Sequence, residues 1–446
     1  MATESSPDTA QAINTLLARF VRYHPDRIEL SLDRMCRLLS DLGDPHTKLP
    51  PVIHIAGTNG KGSTAAFLRA ALEASGKTVS AYTSPHLIRF AERYRIAGAV
   101  LADSELLALF EEIEERNAGQ SITEFEITTA AAFLAISRAE ADIAILEVGL
   151  GGRCDATNVV ERPLATIITC VAMDHMNFLG DTLRDIAGEK AAIQKPDVPS
   201  IIGPQDKAAM DMIAAAATST GAPLYRAGFE WSITPDNQGN GGTYHRGERD
   251  MSLPPPALPG RHQLDNAATA AACLDICGLS GVTDETIAAG LREARWPGRL
   301  EKITQGPFAS QLPESWQLWC DAAHNPSGAA AAAAMFRELA TANPRHLHLV
   351  LAMQNDKNCE GFLAPFQGLA TSVTTIPLPD EPRMHAASKL AEIAQTSGFS
   401  SAHRESLPAA LRSIVSNHSP GHILITGSHL LVGLALSLHN SAPLDR

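Results

Sequence analysis

One stretch limits what this chain can become: Pro51-Val52-Ile53-His54-Ile55-Ala56-Gly57-Thr58-Asn59-Gly60-Lys61-Gly62-Ser63-Thr64. A short apolar run enters a glycine-rich loop, and a helical pattern over residues 65–74 follows. Strand, glycine loop and helix in that order build a phosphate cradle. Glycines let backbone N–H groups converge on an anion, and the helix N-terminus adds partial positive charge. Lys61 is placed to reach the β/γ-phosphates, and Ser63 and Thr64 bring hydroxyls for phosphate or Mg²⁺. The spacing departs from G-x-x-x-x-G-K-[ST], because Gly57 lies three residues before Gly60 and Gly62 separates Lys61 from Ser63. A bare glycine loop is equally a tight strand-to-helix turn. The lysine and the hydroxyl pair tilt the reading to a nucleotide phosphate site.

The 446 residues suggest two or three domains, and 45% hydrophobic content supports a large core. A net charge of −13 without a basic run argues against nucleic acid as a partner. Cysteines at positions 36, 154, 170, 273, 277, 320 and 359 form no C-x-x-C pair and are odd in number. That pattern fits reduced thiols in a cytoplasmic protein. The N-terminus has neither a basic start nor an apolar segment, so no signal peptide is read. The apolar run 422–438 contains Thr426, Ser428, His429, Gly427 and Gly433. It reads as a buried strand and a helix, and no membrane span is expected.

Along the chain, residues 11–43 carry two helical patterns, with Ile28, Glu29 and Leu30 in the linker between them. A short strand over 76–83 runs into Ser84-Pro85-His86-Leu87, where doubly wound sheets bind ligands. Ser84 there is either a metal ligand or part of a capped turn. Residues 92–99 read as a charged loop, and 103–116 as an amphipathic helix. Thr123-Glu124-Phe125-Glu126 opens the next helix, where acids also suit the macrodipole. The run 141–146 is a buried parallel strand that ends in Glu147, followed by Val148-Gly149-Leu150-Gly151-Gly152-Arg153. A carboxylate there suits Mg²⁺; a purely structural acid would need a partner against desolvation. His175 ends another strand region and is a ligand candidate beside Glu147 and Lys61. Lys190 lies in a helical pattern of small apolar residues, and as a plain surface lysine it would snorkel to water. Residues 224–252 read as a polar, glycine-rich hairpin region. After Trp296-Pro297-Gly298-Arg299 a second α/β rhythm begins, with Asp321-Ala322-Ala323-His324-Asn325-Pro326 closing its first strand. The expected fold class is α/β: a large doubly wound P-loop ATPase domain over 1–298 and a smaller Rossmann-like domain over 299–446.

Taken together these motifs resemble the folylpolyglutamate synthase/dihydrofolate synthase family, relatives of the Mur peptide ligases. The matching residues are Gly57-Thr58-Asn59-Gly60-Lys61-Gly62-Ser63, Thr83-Ser84-Pro85-His86-Leu87, Phe125-Glu126 with Thr129, the Glu147–Arg153 run, Asp155-Ala156-Thr157-Asn158, Asp174-His175, Glu189-Lys190-Ala191, Pro297-Gly298-Arg299, Asp321 with His324-Asn325-Pro326, and Gly427-Ser428 with Gly433. They span nearly the whole chain in order. Cys154, Ala192 and Ala322 stand where the family usually has Leu, Gly and Gly, and none of these changes removes a charged or liganding group.

The resemblance implies an ATP-dependent amide ligase in which a substrate carboxylate takes the γ-phosphate and L-glutamate attacks the resulting acyl phosphate. It implies that Lys61 and the loop 57–63 hold ATP, with Asn266, Arg299 and Asp321 contacting it from the C-terminal side. It implies Mg²⁺ on Ser84, Glu147 and His175, a carbamylated Lys190, and His324 lining the junction of the domains. The pterin would lie against Ile28, Glu29, Leu30, Thr123, Glu124, Phe125, Glu126, Cys154, Asp155 and Ala156. The substrates implied are dihydropteroate and tetrahydrofolate, and a cytoplasmic monomer is expected. Competing readings are a folylpolyglutamate synthase alone, a Mur-type peptide ligase, and a catalytically dead ATP-binding regulator. The N-terminus is too short for the nucleotide-sugar domain of a Mur ligase proper, and the intact Lys61, Glu147, His175, Lys190 and Asp321 argue against a dead enzyme.

Overall fold

The computed structural model describes residues 7–24, 31–237, 239–378 and 381–440. Ile28, Glu29 and Leu30 lie outside the described residues. The chain forms two compact units. The first holds residues 1–85, 89–257 and 264–294; the second holds 86–88, 258–263 and 295–446.

The first unit is built on an eight-stranded sheet of order β4-β3-β2-β5-β1-β6-β7-β8. Its strands are β1 (Val52–Ala56), β2 (Val79–Tyr82), β3 (Tyr94–Ile96), β4 (Ala99–Val100), β5 (Ile143–Glu147), β6 (Ala165–Ile168), β7 (Ser200–Ile202) and β8 (Leu224–Arg226). The six strands from β2 to β8 in that order are parallel. β1 and β5 are buried at every residue, which is why both read as unbroken apolar runs rather than alternating ones. Winding runs from β1 out to β2 and β5 on one side, then reverses to β6, β7 and β8 on the other. The reversal leaves a crevice at the carboxyl end of β1, where the glycine loop emerges.

Helices cover both faces. Phe20, Phe110, Phe133, Tyr82 and Tyr94 centre the core on one face. Ile168, Ile186, Ile193 and Ile213 centre it on the other. The stretch 92–99, expected to be a charged loop, is instead mostly a hairpin of β3 and β4. Ala97 (φ 46°) and Gly98 (φ 87°) make its two-residue turn, and consecutive positive φ values give the primed geometry that matches strand twist. The region 224–252 divides. β8 joins the large sheet, while β9 (Ser232–Pro235), β10 (Gly242–Arg246) and β11 (Arg249–Leu253) form a separate antiparallel sheet.

The second unit carries a six-stranded sheet of β12 (Glu301–Ile303), β13 (Gln317–Asp321), β14 (His346–Leu351), β15 (Ala370–Thr375), β16 (Ser400–His403) and β17 (Gly421–Thr426). Its order is β12-β13-β17-β14-β15-β16, parallel except for β12. Apolar clusters fill both faces, one around Ile423, Ile425 and Val432, the other around Phe336, Leu349 and Phe366. Among the described residues no helix is long and apolar enough to cross a membrane.

Candidate active site

In the first unit the loop after β1 is stitched to the segment after β6. Thr58 N and Asn59 N both donate to Cys170 O, at 2.8 and 3.1 Å. Thr58 Oγ1 donates to Ala172 O (3.0 Å), and Thr169 Oγ1 donates to Asn59 O (2.8 Å). These bonds occupy two of the loop amides and leave the first turn of the helix Lys61–Ala74 to face an anion, since those N–H groups have no intrahelical acceptor. Backbone crowding explains the glycines. A Cβ on Gly57 would stand 1.8 Å from Thr169 Oγ1, and one on Gly60 (φ +91°) would stand 2.4 Å from Asn266 Oδ1. Asn266 therefore lies against the glycine loop and belongs to the first unit.

Lys61 Nζ donates to Gly57 O at 3.1 Å and lies 3.9 Å from Glu147 Oε1. Glu147 is the last residue of β5, buried, in register with Ile55 of β1. Ser84 is half-buried on the loop leaving β2 at the same sheet edge. His175 caps the short helix Met176–Leu179 from a left-handed backbone (φ 51°), with Nε2 4.0 Å from Asp174 Oδ2. Lys190 is not a snorkelling surface residue, because it is only 4% exposed. Burial lowers its pKa to about 7, and the Lys61 charge pushes the same way, against Asp174, Asp155 and Glu189. Asp174, directly before His175 in the sequence, is part of a matching motif but is given no role of its own there, and it is the acid that most favours the Lys190 cation.

The Glu147 carboxylate and the Ser84 hydroxyl are oxygen donors that suit a hard divalent cation, and His175 adds a borderline nitrogen donor. Among the described residues no three His, Cys, Asp or Glu side chains are gathered as a ready metal site. The buried Glu147 carboxylate beside the Lys61 ammonium is the feature that fits such an ion, as a cation and a phosphate would both be held there.

The proposed pterin residues fall into two groups. Thr123 and Glu126 form a capping box on the helix Glu124–Arg138, with Glu126 Oε2 accepting Thr123 N at 2.7 Å. Glu126 also receives Arg34 Nε (3.1 Å) and Nη2 (3.0 Å). Glu124 N donates to His24 Nε2. Phe125 packs on Gly149 so closely that a Cβ there would sit 2.3 Å from its ring. In the second group Asp155 is buried, and its Oδ2 accepts Gly149 N and Leu150 N, both at 2.9 Å. Ala156 is buried beside it, and Cys154 is half-buried with its thiol pushed up by burial. Arg153 ties this loop to the helix Leu183–Ala191 through Glu189, side chain to side chain at 2.9 Å.

In the second unit Asp321 ends β13. Its Oδ2 accepts Leu300 N at 2.8 Å and its Oδ1 accepts Ala323 N at 2.9 Å. Burial raises its pKa, and the Arg299 charge opposes that most strongly. His324 Nδ1 donates to Ala322 O (3.0 Å). Asn325 caps the helix Pro326–Ala342 through Gly328 N.

A glycine loop at a sheet switch point, a buried lysine beside acids and a second α/β unit define the class, and the family comparison names it. Residues 55–274 match the Mur ligase middle domain, and 298–429 match the Mur ligase glutamate ligase domain. The chain is 35% identical over 416 residues to the dihydrofolate synthase/folylpolyglutamate synthase of Bacillus subtilis, covering 90% of this chain and 93% of that one. The structure of E. coli FolC in complex with DHPP and ADP superposes with a TM-score of 0.85 at 32% identity, covering 97% of this chain and 99% of the other. A bifunctional folylpolyglutamate synthase/dihydrofolate synthase with Mn, AMPPNP and L-glutamate bound gives 0.82 at 33% identity, covering 94% and 97%. The chain is a Mur-type ligase. More particularly, it belongs to the dihydrofolate synthase/folylpolyglutamate synthase family.

Proposed function

We propose that this protein joins L-glutamate to dihydropteroate and to tetrahydrofolate at the expense of ATP. The observation that carries the reading is the cluster at the carboxyl end of β1 and β5: the glycine loop, Lys61 3.9 Å from Glu147, and the buried Lys190. A carboxylate is a poor acylating agent and phosphate is a good leaving group, so the γ-phosphate is transferred to the pterin-linked carboxylate first. The glutamate amine then attacks that carbonyl and inorganic phosphate departs. Little covalent chemistry falls to the protein, so charge and position dominate. Lys61 and the first-turn amides neutralise and orient the phosphates. Glu147, His175 and Ser84 would hold Mg²⁺, which supplies charge neutralisation on the phosphate oxygens when bound.

Lys190 is read as carbamylated. Carbamylation needs a neutral amine, and burial supplies one by disfavouring the ammonium form. The 123–126 turn and the 154–156 segment wall the pterin, with Phe125 as its aromatic face. Asn266 at the glycine loop, with Arg299 and Asp321 of the second unit, would contact ATP; His324 would present Nε2 to the incoming glutamate. The ATP-binding domain is taken as 1–298 and the glutamate ligase domain as 299–446. Seven cysteine thiols without a disulfide support a reducing, cytoplasmic setting, and a monomer is the expected state.

The test is ATP turnover by the purified protein with each acceptor. Phosphate release that requires glutamate together with dihydropteroate or tetrahydrofolate is expected. ATP binding without release in either mixture would sink the ligase reading. Turnover with tetrahydrofolate alone would reduce it to folylpolyglutamate synthase.

A further inference from the structure

Behind the loop that follows β5, the core holds a polar chain that runs from β1 to Asp155. His54 lies in the middle of β1 and is fully buried. Its Nε2 is 2.8 Å from Thr157 Oγ1, and Thr157 Oγ1 donates to Asp155 Oδ1 at 2.5 Å. Asp155 then spends its remaining capacity on backbone: Oδ1 accepts Thr157 N at 3.0 Å, and Oδ2 accepts Gly149 N and Leu150 N at 2.9 Å each.

Proton counting fixes the direction of this chain. A threonine hydroxyl has one hydrogen, and a carboxylate bound by four donors only accepts. Thr157 therefore gives its hydrogen to Asp155 and must accept from His54, so His54 is the Nε2–H tautomer. His54 Nδ1 is buried with no hydrogen-bond partner, which is tolerable for a bare nitrogen and would be costly for an N–H. Burial keeps the ring neutral, with its pKa lowered to about 3. A valine or isoleucine would suit an all-buried parallel strand better, so the imidazole needs a reason beyond packing.

The reason lies at the far end of the chain. The two amides that Asp155 holds begin the loop that leaves β5 after Glu147, a loop tied to the helix of Lys190 by the Arg153–Glu189 pair, and Gly149 in that loop is pressed on Phe125. We propose that His54 is a positioning residue for the ligase reaction, acting through Thr157 and Asp155 on the Gly149 and Leu150 amides to fix the pterin-side wall relative to Glu147. The proposal rests on the ligase reading for its functional half and on the hydrogen-bond chain for its structural half.

The two halves are tested separately. Hydrogen exchange at Gly149 and Leu150 reads the chain itself: protection should fall in His54→Leu and in Thr157→Val and return in His54→Gln, whose amide can donate from the same reach. Steady-state kinetics read the consequence: KM for dihydropteroate should rise, and kcat fall, by about tenfold to a hundredfold for a wall displaced by a fraction of an ångström. ATP affinity should stay near wild type, and the double variant His54→Leu/Thr157→Val should be no worse than either single one, because both cut one chain. If His54→Leu fails to fold, Thr157→Val carries the same expectations. Unchanged exchange, equal damage in the Leu and Gln variants, or additive damage in the double would overturn the proposal. An inactive wild-type protein whose variants still lose protection would instead overturn the ligase reading and leave the hydrogen-bond chain standing.

Discussion

At Lys190 burial and charge pull against each other. Desolvation and the nearby Lys61 lower its pKa to about 7, while Asp174, Asp155 and Glu189 favour the cation. The neutral amine grows as pH rises through 7, so carbamate formation should rise over the same window. Lys190→Ala should lose turnover on the order of a hundredfold, and added bicarbonate should not restore it, because a misplaced or missing group at the reacting centre costs that much. Near-normal turnover in the variant would remove the carbamate from the mechanism. Gly60 makes the complementary case in backbone. With φ at +91° and Asn266 Oδ1 2.4 Å from a new Cβ, Gly60→Ala strains the loop and displaces Asn266 together. We expect ATP affinity, read by titration calorimetry, to fall about tenfold, the equivalent of about 1.4 kcal/mol. Unaltered affinity would mean that the loop does not cradle nucleotide.

Among the elements, the start of the helix Glu124–Arg138 carries more than the proposed substrate contact. Glu126 caps its own helix, pairs with Arg34 through two nitrogens and is 6% exposed. Glu126→Ala takes the carboxylate from a largely buried guanidinium and opens the cap, so stability should fall by about 3 kcal/mol or more in urea denaturation. A loss below about 1 kcal/mol would place this pair with ordinary surface bridges. The case also shows where sequence reading stops. Val52–Ala56 and Ile143–Glu147 were legible as strands because parallel strands buried on both faces are continuous apolar runs. The hairpin of β3 and β4 was not, because its strands are only three and two residues long, too short to show an alternation. Capping could be foreseen from Thr123 and Glu126, three positions apart, but the Arg34 pairing could not, since it joins residues 92 apart in sequence. The same holds at the site. Lys61, Glu147 and Lys190 could be named from local motifs, whereas the burial of Lys190 and the approach of Asn266 to Gly60 come from packing between distant segments.

For the molecule as a whole, buried histidines link both units to pH. In the first unit His54 is fully buried with its pKa lowered to about 3; in the second, His262 and His348 are lowered to about 4. Burial is the first cause in each, seconded by Lys195, Arg299 and His418 respectively. The sign follows from comparing states. Above pH 6.5 each ring is neutral folded or unfolded, and pH has no leverage through it. Below 6.5 the unfolded chain takes up protons that the folded chain refuses, so stability falls as pH falls, down to the folded pKa. For His54 the slope is about 1.4 kcal/mol per pH unit. Most carboxylates begin to protonate only below about pH 4.5, and Lys190 is largely protonated in both states below 6.5, so the interval from 6.5 to 5 is governed chiefly by the histidines. Hydrogen exchange at β1 and β14, followed across that interval, should show opening free energy falling in both units. His54→Leu should flatten the slope at β1 and leave that at β14 unchanged, whatever it does to the absolute stability. An unchanged slope at β1 would show that His54 is already protonated in the folded protein, which the chain from His54 to Asp155 does not permit.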